Sequence, residues 1–222
     1  MEELKNANIT SGERGSRRLS EKFIDKRISR ALTGVLRHGA NKDGIPYDKH
    51  GGVELDFILT LKQFKTANRE FIYKLVDKCD KKRFIIYHDD QNIERICASQ
   101  GHSFPVETYL AIEITEDNIT SLDINPDTVV HGTYHSCIQS IEKEGLSKMG
   151  RTDIHFGVNV PESGEVISGM RKSCEVIIFI DILAAIRDGY KFTLSNNRVI
   201  LTPGNEAGFL PPKYISKIVN RS

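Results

Sequence analysis

Arg83-Phe84-Ile85-Ile86-Tyr87-His88-Asp89-Asp90-Gln91-Asn92-Ile93-Glu94-Arg95-Ile96-Cys97-Ala98 holds two short β-forming runs around a polar centre. Arg83 to Tyr87 and Arg95 to Ala98 are rich in β-branched and aromatic residues, and His88 to Asn92 is the hairpin between them. Toward the N-terminus the pattern turns helical. Phe57 to Phe64 and Phe71 to Val76 place apolar residues at helical spacing. Val53-Glu54-Leu55 alternates like a short strand, and Asn41 to Gly52 is rich in turn residues.

Helices followed by a two-stranded wing predict a small winged-helix-like module. Such modules bind nucleic acid and also serve as interaction domains. Farther upstream, Phe23, Ile24, Ile28, Ala31, Leu32, Val35 and Leu36 line one face of an amphipathic helix. Ser20 reads as its N-cap and Gly39 as its C-cap. Arg37 and His38 then stand side by side at the helix end. Basic residues there also complement the helix dipole, so the pair alone does not make a site. It does offer a fixed fork of donors and a titratable ring to a phosphate.

Residues 1–18 are polar and read as a flexible tail, with Arg14, Arg17 and Arg18 among its scattered charges. Past Phe104-Pro105 the character changes. Thr108 to Ile114 alternates weakly as a strand does, and Asn125-Pro126-Asp127 is a turn before Val129-Val130-His131. Cys137 to Glu144 is a helical stretch closed by Gly145; Val176 to Asp181 and Arg198 to Leu201 are strands. The reading is therefore α+β, with residues 1–18 a tail, 19–104 one lobe and 105–222 a second, strand-rich lobe.

Of 222 residues, 27% are charged and 39% hydrophobic, as in a soluble globular protein. No apolar run approaches a membrane span, and the polar N-terminus does not read as a signal peptide. Cys79, Cys97, Cys137 and Cys174 form no CxxC or Cys/His cluster, so no zinc site or disulfide framework is expected. Reduced thiols point to an intracellular protein, cytoplasmic or nuclear. The net charge of +1 hides an asymmetry. Residues 1–104 carry 20 Lys and Arg against 15 Asp and Glu; residues 105–222 carry 11 against 15. A basic front half suits a polyanionic partner.

Further candidates lie apart in the chain. His131-Gly132-Thr133 can set an imidazole, a glycine backbone and a hydroxyl on one small ligand, the glycine permitting close approach. Arg151 precedes Asp153-Ile154-His155, whose alternation puts Asp153 and His155 on one face. Gln100-Gly101-His102-Ser103 follows the second strand of the hairpin. A two-histidine phosphodiesterase is disfavoured, because His155-Phe156-Gly157 lacks the needed hydroxyl. No Walker, GxGxxG, HExxH or GxSxG motif occurs, and no carboxylate cluster for a metal stands out.

In order, Leu36-Arg37-His38, Lys82-Arg83-Phe84, Ile96 to Ser103, His131-Gly132-Thr133, Arg151 before Ile154-His155, and Val166-Ile167-Ser168-Gly169-Met170-Arg171 resemble the RNA 2′-phosphotransferase family. The match runs from about Ile28 to Val219. The resemblance implies a winged-helix RNA lobe and a C-terminal NAD-binding lobe of ADP-ribosyltransferase type. It implies that an internal RNA 2′-phosphate attacks NAD, that nicotinamide leaves, and that 2′-OH RNA and ADP-ribose 1″,2″-cyclic phosphate are released. NAD is then a co-substrate, no metal is needed, and the RNA is spliced tRNA.

The family's Arg-His-Arg-Arg quartet maps onto Arg37, His38, Arg83 and Arg151. By the resemblance, Arg37, His38, Arg83 and His102 contact RNA, and His38 donates a hydrogen bond to the phosphate. His131, Gly132, Thr133, His155, Ser195 and Asn196 contact NAD, the last two from a Ser-x-Asn match at Ser195-Asn196-Asn197. Asp153 and Gly157 depart from the family pattern. A monomer is expected. The alternative keeps the fold and makes the chain an ADP-ribosyltransferase acting on terminal nucleic-acid phosphates or protein.

Overall fold

The computed structural model describes residues 25–159, 170 and 173–221. Ser20, Phe23, Ile24, the 1–18 tail and all of Val166 to Arg171 except Met170 lie outside the described residues.

Helix α1 (residues 25–34) runs into a π turn at Val35–Gly39 and then a last helical turn, α2 (Ala40–Lys42). Ile28, Leu32 and Leu36 recur every fourth residue and are fully buried. The expected C-cap at Gly39 is corrected: Gly39 is right-handed (φ −76°) and the helix continues to Lys42. The π turn is the reason. The Ala40 N–H reaches five residues back to the Val35 carbonyl, so hydrogen bonding is carried through instead of ending. Arg37 and His38 therefore sit within a widened turn, not at a frayed end.

The 57–64 periodicity also splits. Leu61 is extended, separating α3 (Leu55–Thr60) from a 3₁₀ turn at Lys62–Phe64. Two short pieces turn Leu55, Ile58 and Phe64 inward where one straight helix could not. Helix α4 (Arg69–Asp77) starts at Asn68, whose Oδ1 accepts the Phe71 N–H at 2.8 Å.

Strands β1 (Val53–Glu54), β2 (Phe84–His88) and β3 (Glu94–Ala98) form an antiparallel sheet in the order β1-β3-β2. Ile86 faces Ile96, and Phe84 faces Ala98. Asp89 Oδ1 accepts the Gln91 and Ile93 N–H groups and so builds the hairpin turn. One apolar cluster joins this sheet to the helices and draws its buried members from Ile28 to Phe104.

A second cluster runs from Ile114 to Tyr214. It packs on a seven-stranded antiparallel sheet made of β4 (Ile112–Ile114), β5 (Val130–Thr133), β7 (Ile154–Gly157), β8 (Val176–Ile180), β9 (Phe192–Leu194), β10 (Val199–Thr202) and β12 (Ile215–Asn220). The order is β12-β8-β5-β7-β10-β9-β4, which puts β5 and β7 side by side in the middle. β8, flanked by β12 and β5, is the unbroken apolar run Val176 to Ile180. Helices α5 (Ile138–Glu144) and α6 (Ile182–Arg187) bury Ile141, Ile182 and Ala185.

A separate ribbon pairs β6 (Leu146–Ser147) with β11 (Phe209–Leu210). Gly145, at φ +94°, must be glycine there, because a Cβ would stand 2.1 Å from the Leu210 carbonyl oxygen. Of the Thr108–Ile114 strand expected from alternation, only Ile112–Ile114 forms. Leu110 at φ +53° breaks the rest. The class is α+β. No described helix is long and apolar enough to cross a membrane.

Candidate active site

Four separate segments converge on a cavity of about 570 Å³. The π turn contributes Arg37 and His38; the start of β2 contributes Arg83. The loop before β7 contributes Arg151, and the centre of the large sheet contributes His131, Thr133 and His155. Residues 37 and 155 are thus neighbours only through the fold.

The Arg37 backbone is pinned by Ser103, whose N–H donates to the Arg37 carbonyl at 2.9 Å. Gly101 passes flat against the guanidinium: at φ +89°, its Cβ would stand 3.3 Å from Arg37 Cζ. The Arg37 Nε is buried without a hydrogen-bond partner. Burial first, then Arg151 and Arg83, pull the Arg37 pKa down to about 10. The side chain stays cationic at neutral pH, at a desolvation cost that an anionic ligand offsets. Among the residues lining the cavity, Arg37, Lys81, Arg83, Lys148 and Arg151 face a single carboxylate, Asp153. Burial pushes the Asp153 pKa up, against the hydrogen bond from Thr152 and the charge of Lys148.

His38 is the more exposed of the pair, and its Nδ1 lies 3.1 Å from Ser103 Oγ. Its pKa is lowered by burial, then by Arg37 and Arg151. The Arg83 carbonyl takes the Ser99 N–H at 2.9 Å, fixing the start of β2. On the far side, the Arg151 N–H donates to the Lys148 carbonyl, and the next residue, Thr152, donates its N–H to the His102 carbonyl at 3.0 Å.

The opposite wall is neutral. His131 Nδ1 lies 2.9 Å from the His155 carbonyl. A carbonyl only accepts, so Nδ1 carries the proton, and in the neutral ring Nε2 is an acceptor. Burial lowers the His131 pKa, that hydrogen bond raises it, and Arg151 lowers it. His155 is buried, and its Nε2 has no hydrogen-bond partner. Burial, Arg151 and Arg37 take its pKa to about 3, so it is neutral throughout the physiological range. Gly132 serves the chain's own packing: a Cβ there would stand 3.0 Å from both Cys174 Sγ and Met170 Sδ.

Three residues expected in the site are placed elsewhere. The His102 side chain is 1% exposed, points beside Gly51 and does not line the cavity. Burial, then Arg37 and His38, lower its pKa to about 4. Its contribution is the carbonyl that holds Thr152. Ser195 is a buried turn-builder, with Oγ accepting the Val199 N–H at 3.0 Å. Asn196 is exposed and off the cavity. The turn, with Arg198 at φ +58°, points Ser195 and Asn197 inward and Asn196 outward. Asn197 lines the cavity instead, its Nδ2 donating to the Lys81 carbonyl at 3.0 Å. Gln100 also lines it, with Oε1 buried and without a hydrogen-bond partner. The signal for Asn197 was its two-residue spacing from Ser195. Gln100 gave none beyond its place before Gly101.

The family model described as RNA 2′-phosphotransferase, Tpt1 / KptA family, matches residues 24–204. The chain is 40% identical over 207 residues to tRNA 2′-phosphotransferase 1 of Danio rerio, covering 93% of this chain and 90% of that protein. It is 40% identical over 210 residues to tRNA 2′-phosphotransferase 1 of Homo sapiens, covering 93% and 81%. It is 37% identical over 196 residues to a probable RNA 2′-phosphotransferase of Flavobacterium johnsoniae, covering 86% and 96%.

Proposed function

This chain belongs to the RNA 2′-phosphotransferase family, and we propose that it moves an internal RNA 2′-phosphate onto the ADP-ribose part of NAD, leaving 2′-OH RNA, nicotinamide and ADP-ribose 1″,2″-cyclic phosphate. The observation that carries this reading is the meeting of Arg37, His38, Arg83 and Arg151 in one cavity opposite His131 and His155. A 2′-phosphate carries close to two negative charges, and transfer spreads charge over more oxygens. Fixed guanidinium groups stabilise that charge without moving a proton. Arg37, His38 and Arg83 seat the RNA phosphate. Arg151 screens the charge that develops during transfer.

The other wall fits a dinucleotide. His131 Nε2, His155 Nε2 and Gln100 Oε1 are acceptors, the last two buried and without hydrogen-bond partners, and they suit ribose hydroxyls and amide N–H groups. His131, Gly132, Thr133 and His155 would hold NAD, which when bound supplies the ribose carbon that takes the phosphate. Residues 19–104 act as a winged-helix-like RNA lobe and residues 105–222 as an ADP-ribosyltransferase-like lobe. Helices followed by the β2–β3 hairpin support the first, and the antiparallel sheet carrying His131 and His155 supports the second. The RNA is spliced tRNA, and the protein acts inside the cell as a monomer.

The test is incubation of a 2′-phosphorylated oligonucleotide with and without NAD. NAD-dependent conversion to a 2′-hydroxyl with cyclic phosphate product is expected, whereas NAD-independent release overturns the reading. Modified terminal phosphates without cyclic product would assign the ADP-ribosyltransferase alternative. In single turnovers, Arg151→Ala accumulates ADP-ribosylated RNA if Arg151 serves the transfer of the phosphate; an unaltered second step refutes that role.

A further inference from the structure

Ser103 meets two groups at once. Its Oγ lies 3.2 Å from the Arg37 carbonyl oxygen and 3.1 Å from His38 Nδ1. A hydroxyl has one proton, and a carbonyl can only accept. Only one assignment satisfies both contacts: Ser103 Oγ–H donates to Arg37 O, and His38 Nδ1–H donates to Ser103 Oγ. Resting on the RNA 2′-phosphate reading, we infer that Ser103 is a positioning residue that fixes His38 in the Nδ1–H tautomer, so that Nε2 enters the cavity as a bare acceptor and holds the phosphate only after taking up a proton.

His38 can then donate a hydrogen bond to the phosphate, as the resemblance implies, only from a protonated ring. A neutral Nε2 lone pair facing a dianion is repulsive. One proton must be present, either on Nε2 or on the phosphate, for the two to form a hydrogen bond. Burial first, then Arg37 on its own turn and Arg151 from the loop before β7, hold that proton off in the free protein, while His102, on the segment that carries Ser103, is itself neutral at pH 7. A bound phosphate reverses the balance. Phosphate binding is therefore coupled to uptake of one proton at the His38–phosphate pair. His131 is set in the same tautomer by the His155 carbonyl. With His155, the cavity thus holds three rings with acceptor Nε2 atoms, of which His38 is the one that stands with Arg37 and Arg83 where the phosphate is seated.

The ¹⁵N spectrum of the His38 ring in the free protein at pH 7.5 tests the tautomer without any substrate. A protonated Nδ1 and an unprotonated Nε2 are expected in the wild type. Ser103→Ala keeps the backbone bond to Arg37 and should shift the ring toward Nε2–H; Ser103→Thr should restore Nδ1–H. An Nε2–H ring in the wild type overturns the inference. The coupling is tested with the Kd of a 2′-phosphorylated oligonucleotide, without NAD, from pH 7 to 8.5. This range lies above the second ionisation of the phosphate near pH 6. Binding that takes up one proton weakens about tenfold per pH unit as pH rises. That slope should appear in the wild type and Ser103→Thr and flatten in Ser103→Ala, whose neutral ring can donate from Nε2. Equal slopes in the wild type and Ser103→Ala overturn the coupling. Absence of phosphate-dependent binding in every variant, with Nδ1 protonated, overturns the RNA reading and leaves the tautomer assignment standing.

Discussion

The two walls of the cavity are built on opposite principles. Arg37, His38 and Arg83 come from a widened helical turn and the first residue before a short strand, and are tied down by Ser103, Gly101 and Ser99. They bring charge. His131 and His155 come from adjacent central strands of a sheet, are tied by a backbone carbonyl, and are held neutral by burial. They bring acceptors. The lesson is a division of labour: an excess of cations on one side suits an anion, and neutral acceptors on the other suit hydroxyl and amide donors. A ligand carrying only one of these features fills half the site.

The strongest way to break this comparison is Arg37→Ala. On the proposed function, loss of the Arg37 guanidinium should lower kcat/KM about 10³-fold, equivalent to about 4 kcal/mol. Binding of ADP-ribose, read by calorimetry, should stay within about twofold. Equal loss of both would merge the two walls into one.

Acid should erase the difference between them. His155 at about 3 and His102 at about 4 are neutral in the folded protein, whereas an unfolded histidine titrates near 6.5. The unfolded chain therefore binds protons that the folded chain refuses. Stability holds above pH 6.5 and falls as pH drops, each ring costing about 3 kcal/mol by pH 4. Chemical denaturation from pH 7.5 to 4 measures this, and His102→Gln should remove about half of the decline. A flat profile would mean that the rings are not kept neutral.

Gly101→Ala sharpens the comparison from the support side. A left-handed backbone and a Cβ 3.3 Å from Arg37 Cζ should cost about 1–2 kcal/mol, or about 4 °C in Tm. Affinity for the 2′-phosphate should fall while affinity for ADP-ribose does not. The smallest effect is expected from His155→Ala. Loss of one acceptor should weaken ADP-ribose binding about tenfold and leave phosphate binding in place. If phosphate binding falls instead, the assignment of the walls is reversed.

Arg37-His38 stood out because it follows a strongly periodic apolar run, whereas Arg83 and Arg151 entered through the family resemblance, since a lone arginine beside a strand carries no local mark. The hairpin was legible because Arg83 to Tyr87 and Arg95 to Ala98 flank a polar turn, and β2 and β3 form there. The π turn was not, since an extra residue in a helical turn leaves no compositional mark, and Gly39 looked like a terminator. His102 was expected against RNA through the family motif, and the fold buries its ring off the cavity. Its burial depends on Gly51, which only the tertiary fold brings beside it. Asn197 and Asn196 are chemically identical, and only the turn geometry separates them.

The π turn makes length, more than composition, the thing this helix must preserve. Successive residues of an α-helix are rotated by about 100°. Deleting one residue between Ile28 and Val35 would swing Arg37 and His38 off the cavity by that angle while leaving every remaining side chain chemically suitable. Substitution at Gly34, around which a Cβ would meet open space, changes no count. Such a segment is a counted spacer: its exposed positions tolerate exchange, its buried face must stay apolar, and its length must stay fixed.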